Sequence, residues 1–78
     1  MRYVATFFTH FGAMSFHKAL QDRNEESCLM PVPRQLSASC GICAVFDVAF
    51  DPDTMMNEDL EAVFCEKDGA WEKIFSAE

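Results

Sequence analysis

Two prolines, Pro31 and Pro33, bound the short apolar run Cys28–Val32 (CLMPV), and they constrain the fold more than any other pair of residues. Proline has no N–H to give a β-ladder, so a strand that carries it belongs at the edge of a sheet. An edge implies neighbours. Arg2–Phe8 (RYVATFF) is rich in aromatic and β-branched residues and has no breaker. Ile42–Val48 (ICAVFDV) holds the most continuously apolar run, and Trp71–Phe75 (WEKIF) lies near the end of the chain. These three read as strands, with Ile42–Val48 suited to a central position.

Helical spacing fills the gaps between them. Thr9 reads as an N-cap, and apolar residues at Ala13, Phe16, Ala19 and Leu20 make one buried stripe of a helix that runs to about Arg23. Asp51-Pro52-Asp53 is helix-start chemistry, because proline tolerates the first turn and acids favour the N-terminal dipole. Met56, Leu60, Val63 and Phe64 then fall at i, i+4, i+7 and i+8, which predicts a second amphipathic helix ending near Gly69. The acids Asp51, Asp53, Glu58, Asp59 and Glu61 read as the solvated face of that helix. The resulting expectation is an α+β, ferredoxin-like βαββαβ sandwich, with both helices on one face of a four-stranded antiparallel sheet in the order 4-1-3-2.

At 78 residues the chain has room for one domain, residues 1–78, and a chain this short buries only about 60% of the surface its unfolded form exposes. Half of its residues are apolar and eight are Phe, so bulky aromatic side chains supply the burial that length does not. Thirteen acidic against six basic side chains give a formal charge of −7, which makes nucleic acid and anionic membrane poor partners. The longest apolar run, Ile42–Phe46, is far too short to span a bilayer, and the N-terminus passes directly into a strand pattern. A soluble, cytoplasmic protein with reduced thiols is expected.

The cysteines carry the functional question. Cys40 and Cys43 stand in CGIC, a CxxC spacing that serves dithiol redox chemistry when a helix follows it, whereas here a strand follows. Side chains alternate along a strand, so Cys43 reads as a small core residue, and Cys40 pairs with it only if the backbone turns sharply at Gly41. Cys43 is kept as a candidate resolving thiol. There is no second CxxC, and Cys28, Cys65 and His17 fall on other elements, so no metal site and no cofactor are expected. Cys28 and Cys65 read as buried hydrophobes and His17 as a solvated helix residue.

The expected topology gathers chemistry at one rim of the sheet. The third strand begins at Cys40 and Gly41 beside the end of the first, where Thr9 and His10 open the helix. The second strand ends there with Arg34, and the last begins there with Trp71. A helix N-terminus, a guanidinium and an imidazole near an exposed Cys40 would favour its thiolate, and Ser37 and Ser39 could donate hydrogen bonds to it.

The segment Pro31-Val32-Pro33-Arg34-Gln35-Leu36-Ser37-Ala38-Ser39-Cys40-Gly41 resembles the P-x-P-R-x-[IL]-S-x-S-C-G core of the short bacterial proteins described as selenium/sulfur (Se/S) carrier-like. The likeness extends through Thr9-His10 and Ala13-Met14-x-Phe16-His17-Lys18-Ala19-Leu20, and so over nearly the whole chain. It implies a persulfide or perselenide held on Cys40, framed by Arg34 and Ser39. Cys43 is a departure from the motif. A sulfur or selenium donor such as a cysteine desulfurase and an acceptor protein would be the partners, and the chain would be a carrier or binding protein rather than a catalyst. The alternative is a ferredoxin-like interaction or small-ligand-binding module in which Cys40 is structural. A dithiol oxidoreductase using Cys40 and Cys43 comes third. Oligomeric state is left open.

Overall fold

The computed structural model describes residues 1–36 and 38–77. Its elements are β1 (Arg2–Phe7), α1 (His10–Asp22), β2 (Ser27–Pro31), β3 (Ile42–Phe46), β4 (Leu60–Lys67) and β5 (Ala70–Ser76). The strands form a sheet in the order β2-β3-β1-β4-β5, every neighbouring pair antiparallel. The class is therefore α+β, and the proline-bearing strand β2 lies at an edge, as its missing N–H requires.

The first half of the chain follows its local signals. Thr9 sits in extended backbone and its hydroxyl oxygen accepts the Gly12 N–H at 3.0 Å, the N-cap of α1. At the other end Asn24, at φ 60°, closes a Schellman turn: its N–H reaches the Gln21 carbonyl at 2.9 Å, and the Glu25 N–H reaches that of Leu20 at 2.9 Å. Ala13, Phe16 and Leu20 are the buried stripe of the helix, and they pack with Ala5, Phe7 and Phe46 on one face of the sheet.

The second half corrects the expected sandwich. Among the described residues there are one helix and five strands, because the residues read as the C-terminal part of a second helix form β4 between β1 and β5. Asp51-Pro52-Asp53 does start a helical turn, with the Asp51 carboxylate accepting the Asp53 N–H at 3.0 Å and the Thr54 hydroxyl at 3.2 Å. The Met55 N–H donates to the Asp51 carbonyl at 2.9 Å, and Met55 plugs the core beside α1. The turn does not propagate, since the next residues, Met56 and Asn57, leave it for the strand. Asn57 instead ties the segment to α1, donating to the Gly12 carbonyl at 3.1 Å. Gly12 has to be glycine here: a Cβ would collide with the Cβ of Asp59.

Asp68-Gly69 is the hinge between β4 and β5. Both residues have positive φ, 53° and 79°, the two-residue turn that joins antiparallel strands, and so Gly69 ends a strand rather than a helix. Because β4 takes the place beside β1, the last strand moves outward to the second edge, and the expected order 4-1-3-2 survives only in its β1-β3-β2 part.

The two faces of the sheet are unequal. One carries the α1 core. The other holds a smaller cluster of Val4, Leu36, Cys43, Ala62 and Phe64, with Leu36 arriving from the loop between β2 and β3. Among the described residues no helix is long and apolar enough to cross a membrane.

Candidate functional site

The loop between β2 and β3 is closed at its neck and folded back over the sheet. Beyond the last ladder pair, Pro31 with Ile42, the Val32 N–H donates to the Gly41 carbonyl at 3.1 Å. Within the loop the Leu36 N–H reaches the Pro33 carbonyl at 3.0 Å, which puts Arg34 and Gln35 at the corner of a turn. Leu36 then inserts its side chain into the smaller cluster.

Cys40 lies just before the neck residue Gly41 and outside β3, so strand alternation does not set its direction. Its sulfur turns back on the Ile42 peptide, accepting the Ile42 N–H at 3.5 Å and facing the Ile42 carbonyl at 3.6 Å. The expectation of an exposed Cys40 is corrected: the residue is 7% exposed.

Glu61 holds the loop down. The Ser39 N–H donates to Glu61 Oε1 at 3.0 Å and the Ser39 hydroxyl donates to Oε2 at 2.9 Å, a two-point grip on the residue before Cys40. Glu61 reads in the sequence as one acid of a solvated helix face. In the structure it stands at a bulge in β4, where Thr6 pairs with Ala62 and Phe7 with Leu60, leaving Glu61 as the extra residue.

The other expected site residues are distributed as follows. Arg34 is exposed on the loop turn and, among the described residues, makes no ion pair. Thr9 and His10 open α1, and the Thr9 hydroxyl donates to Asp59 Oδ2 at 3.1 Å. Among the described residues no hydrogen bond or ion pair joins Cys40 to Thr9, His10 or Arg34. Ser37 lies outside the described residues. Trp71 is at the other end of the sheet, opposite Glu66, with the Arg2 guanidinium 5.9 Å from its ring. The change from helix to strand in residues 60–67 reverses which end of the last strand meets the loop.

The four cysteines carry free thiols. Cys65 is buried, whereas Cys28 is exposed on the edge strand, which corrects its reading as a buried hydrophobe. His17 is half-buried and its Nδ1 lies 2.8 Å from the Ser27 hydroxyl. Cys43 is fully buried as the second residue of β3, and its thiol points to the Pro31 carbonyl at 3.8 Å. Burial pushes its pKa up to about 11 from 9.0; Arg2 opposes the shift, and the neighbouring Cys28 and Cys40 add to it. A raised thiol pKa means the folded state favours the neutral form. Its stabilising contribution is complete below pH 9.0 and is lost as pH rises toward about 11. Urea unfolding at pH 8 and pH 10.5 is expected to show a loss of about 1–2 kcal/mol that Cys43→Ala abolishes; equal pH dependence in both proteins would refute it.

Searches among curated proteins and among solved structures return no match. A family model does match, over residues 2–76, and that span takes in the loop, its neck, Cys40 and Glu61 together with every strand and the helix. The chain belongs to the family described as "Putative Se/S carrier protein-like".

Proposed function

We propose that residues 1–78 act as one carrier domain that holds sulfur or selenium on Cys40, in a reducing compartment such as the cytoplasm. The observation that carries the reading is the Ile42 N–H directed at the Cys40 sulfur at 3.5 Å, in a chain matched to the carrier-like family over residues 2–76. A fixed backbone donor is the partner that a thiolate or a persulfide anion needs.

Loading is a thiol exchange. The Cys40 thiolate attacks the outer sulfur of a donor persulfide, of the kind a cysteine desulfurase forms. A new Cys40 S–S bond forms, the donor's S–S bond breaks, and the donor leaves as a thiolate. Unloading repeats the step with an acceptor thiolate, and a perselenide follows the same course. Neither step calls for an oxidant or a general base. In this reading Arg34, Ser39 and Gly41 belong to the loop that presents the sulfur, Thr9 and His10 follow the end of β1, and Ser37, outside the described residues, is kept as a motif residue alone. Cys43 stays a protonated core thiol rather than a resolving cysteine, since its pKa is about 11.

A second reading, an interaction module with a structural Cys40, draws on the residue's 7% exposure. Incubation with a desulfurase and cysteine, followed by peptide mass spectrometry, separates the two. The carrier reading expects sulfur on Cys40, complete loss in Cys40→Ser and retention in Cys43→Ser. A wild-type chain that takes up none is the interaction module.

A further inference from the structure

A carrier whose Cys40 is 7% exposed needs a way to offer its thiol, and the structure shows what fastens the loop that carries it. Three fastenings hold the loop: the Val32–Gly41 neck, the Leu36 plug and the Glu61 grip on Ser39. The first two are built from backbone and from apolar burial, which are features of folding in general. The third is an ionised side chain that β4 aims at the loop by means of a bulge, and it acts on the residue next to Cys40.

We propose that Glu61 is the positioning residue of the Cys40 loop, and that sulfur transfer proceeds through release of its two-point grip on Ser39. The proposal rests on the carrier reading. With both oxygens engaged, the carboxylate fixes the Ser39 peptide and with it the direction in which Cys40 leaves the loop. With the grip released, Ser39 and Cys40 are free to swing on the Gly41 neck, and the sulfur turns out toward a partner. Glu61 touches no reacting atom in this scheme. It sets how often Cys40 is open.

Site-resolved alkylation tests the idea on the full chain. The rate of Cys40 modification by iodoacetamide is measured against pH for wild type, Glu61→Ala and Glu61→Gln, with Cys65 followed in the same peptides. Two hydrogen bonds to a charged acceptor are lost in Glu61→Ala, so the high-pH plateau rate at Cys40 is expected to rise about tenfold. Glutamine can still accept the Ser39 N–H and donate to its hydroxyl, so Glu61→Gln is expected to fall between the two, and it keeps the test alive if the alanine variant folds poorly. Cys65, buried on a different part of β4, is expected to keep its wild-type rate. Three results overturn the proposal: plateau rates at Cys40 within about twofold of wild type in both variants, a shifted pH midpoint with an unchanged plateau, or a rise at Cys40 matched by one at Cys65. Sulfur loading separates this from the carrier reading. A wild-type chain that takes no sulfur removes the carrier role whatever the alkylation ratio, while loading that proceeds at one rate in wild type and Glu61→Ala removes Glu61 alone.

Discussion

Phe7→Ala is expected to cost about 3–5 kcal/mol of folding stability, a large share of what a chain this size has. At typical values per residue, 78 residues give a total of about 4–12 kcal/mol. Phe7 is fully buried at the end of β1, its ring 5.3 Å from that of Phe16 on α1, and Phe16 in turn meets the Phe46 ring of β3 in a tilted contact at 5.4 Å. The substitution therefore removes the ring contact between α1 and β1 and leaves a cavity that the short β-ladders do not collapse to fill. A thermal melt is the measurement: the midpoint should fall by at least about 12 °C. A fall of under about 4 °C would mean that the α1 face is not the main core.

Why β1, α1 and β2 were readable, and β4 was not, is a matter of how many physical readings each signal admits. Proline in a ladder has one solution, the edge, and β2 is there. Thr9 with a stripe at Ala13, Phe16 and Leu20 has one solution as well, because the cap and the period agree. Met56, Leu60, Val63 and Phe64 satisfy a helical period, but Ala62, Val63, Phe64 and Cys65 are all buried, and a continuous apolar run also fits a central strand covered on both faces. Asp68-Gly69 between two runs of strand-forming residues was the signal that decides between them.

The site shows the same division. The loop that carries Cys40 was legible as a loop from PVPRQLSASCG, and Cys43 as a core residue followed from its place at the start of a strand. Glu61 was hidden because its role depends on the strand and its bulge. Read as helix, Glu58, Asp59 and Glu61 belong to a solvated acidic face; read as strand, Glu61 comes opposite the end of β1 and within reach of Ser39. The exposure of Cys40 was misjudged for a related reason, since the closing of the neck and the burial of Leu36 are long-range packing events with no local sequence mark.

A pair of substitutions separates the strand from the helix in residues 56–67. Ala62 would point to solvent in the helical reading and Met56 would point to the core; in the structure Ala62 is 5% exposed and Met56 is 56% exposed. Ala62 lies between Thr6 of β1 and Ser76 of β5, in the cluster with Val4, Leu36, Cys43 and Phe64, and the Thr6 hydroxyl already donates to its carbonyl at 3.4 Å. An aspartate there places a carboxylate among apolar side chains. The Arg2 guanidinium is already paired with Glu66 at 3.7 Å and lies over the Trp71 ring. Ala62→Asp is therefore expected to cost at least about 3 kcal/mol by burying an uncompensated charge. It should also release Leu36, and with it the loop that holds Cys40. Met56→Asp, on the exposed end of the Asp51–Met55 turn, is expected to change stability by no more than about 0.5 kcal/mol. Urea titrations of the two variants at pH 7 give the comparison directly, since a helix would invert it: Met56→Asp would then be the damaging change, and Ala62→Asp would pass almost unnoticed.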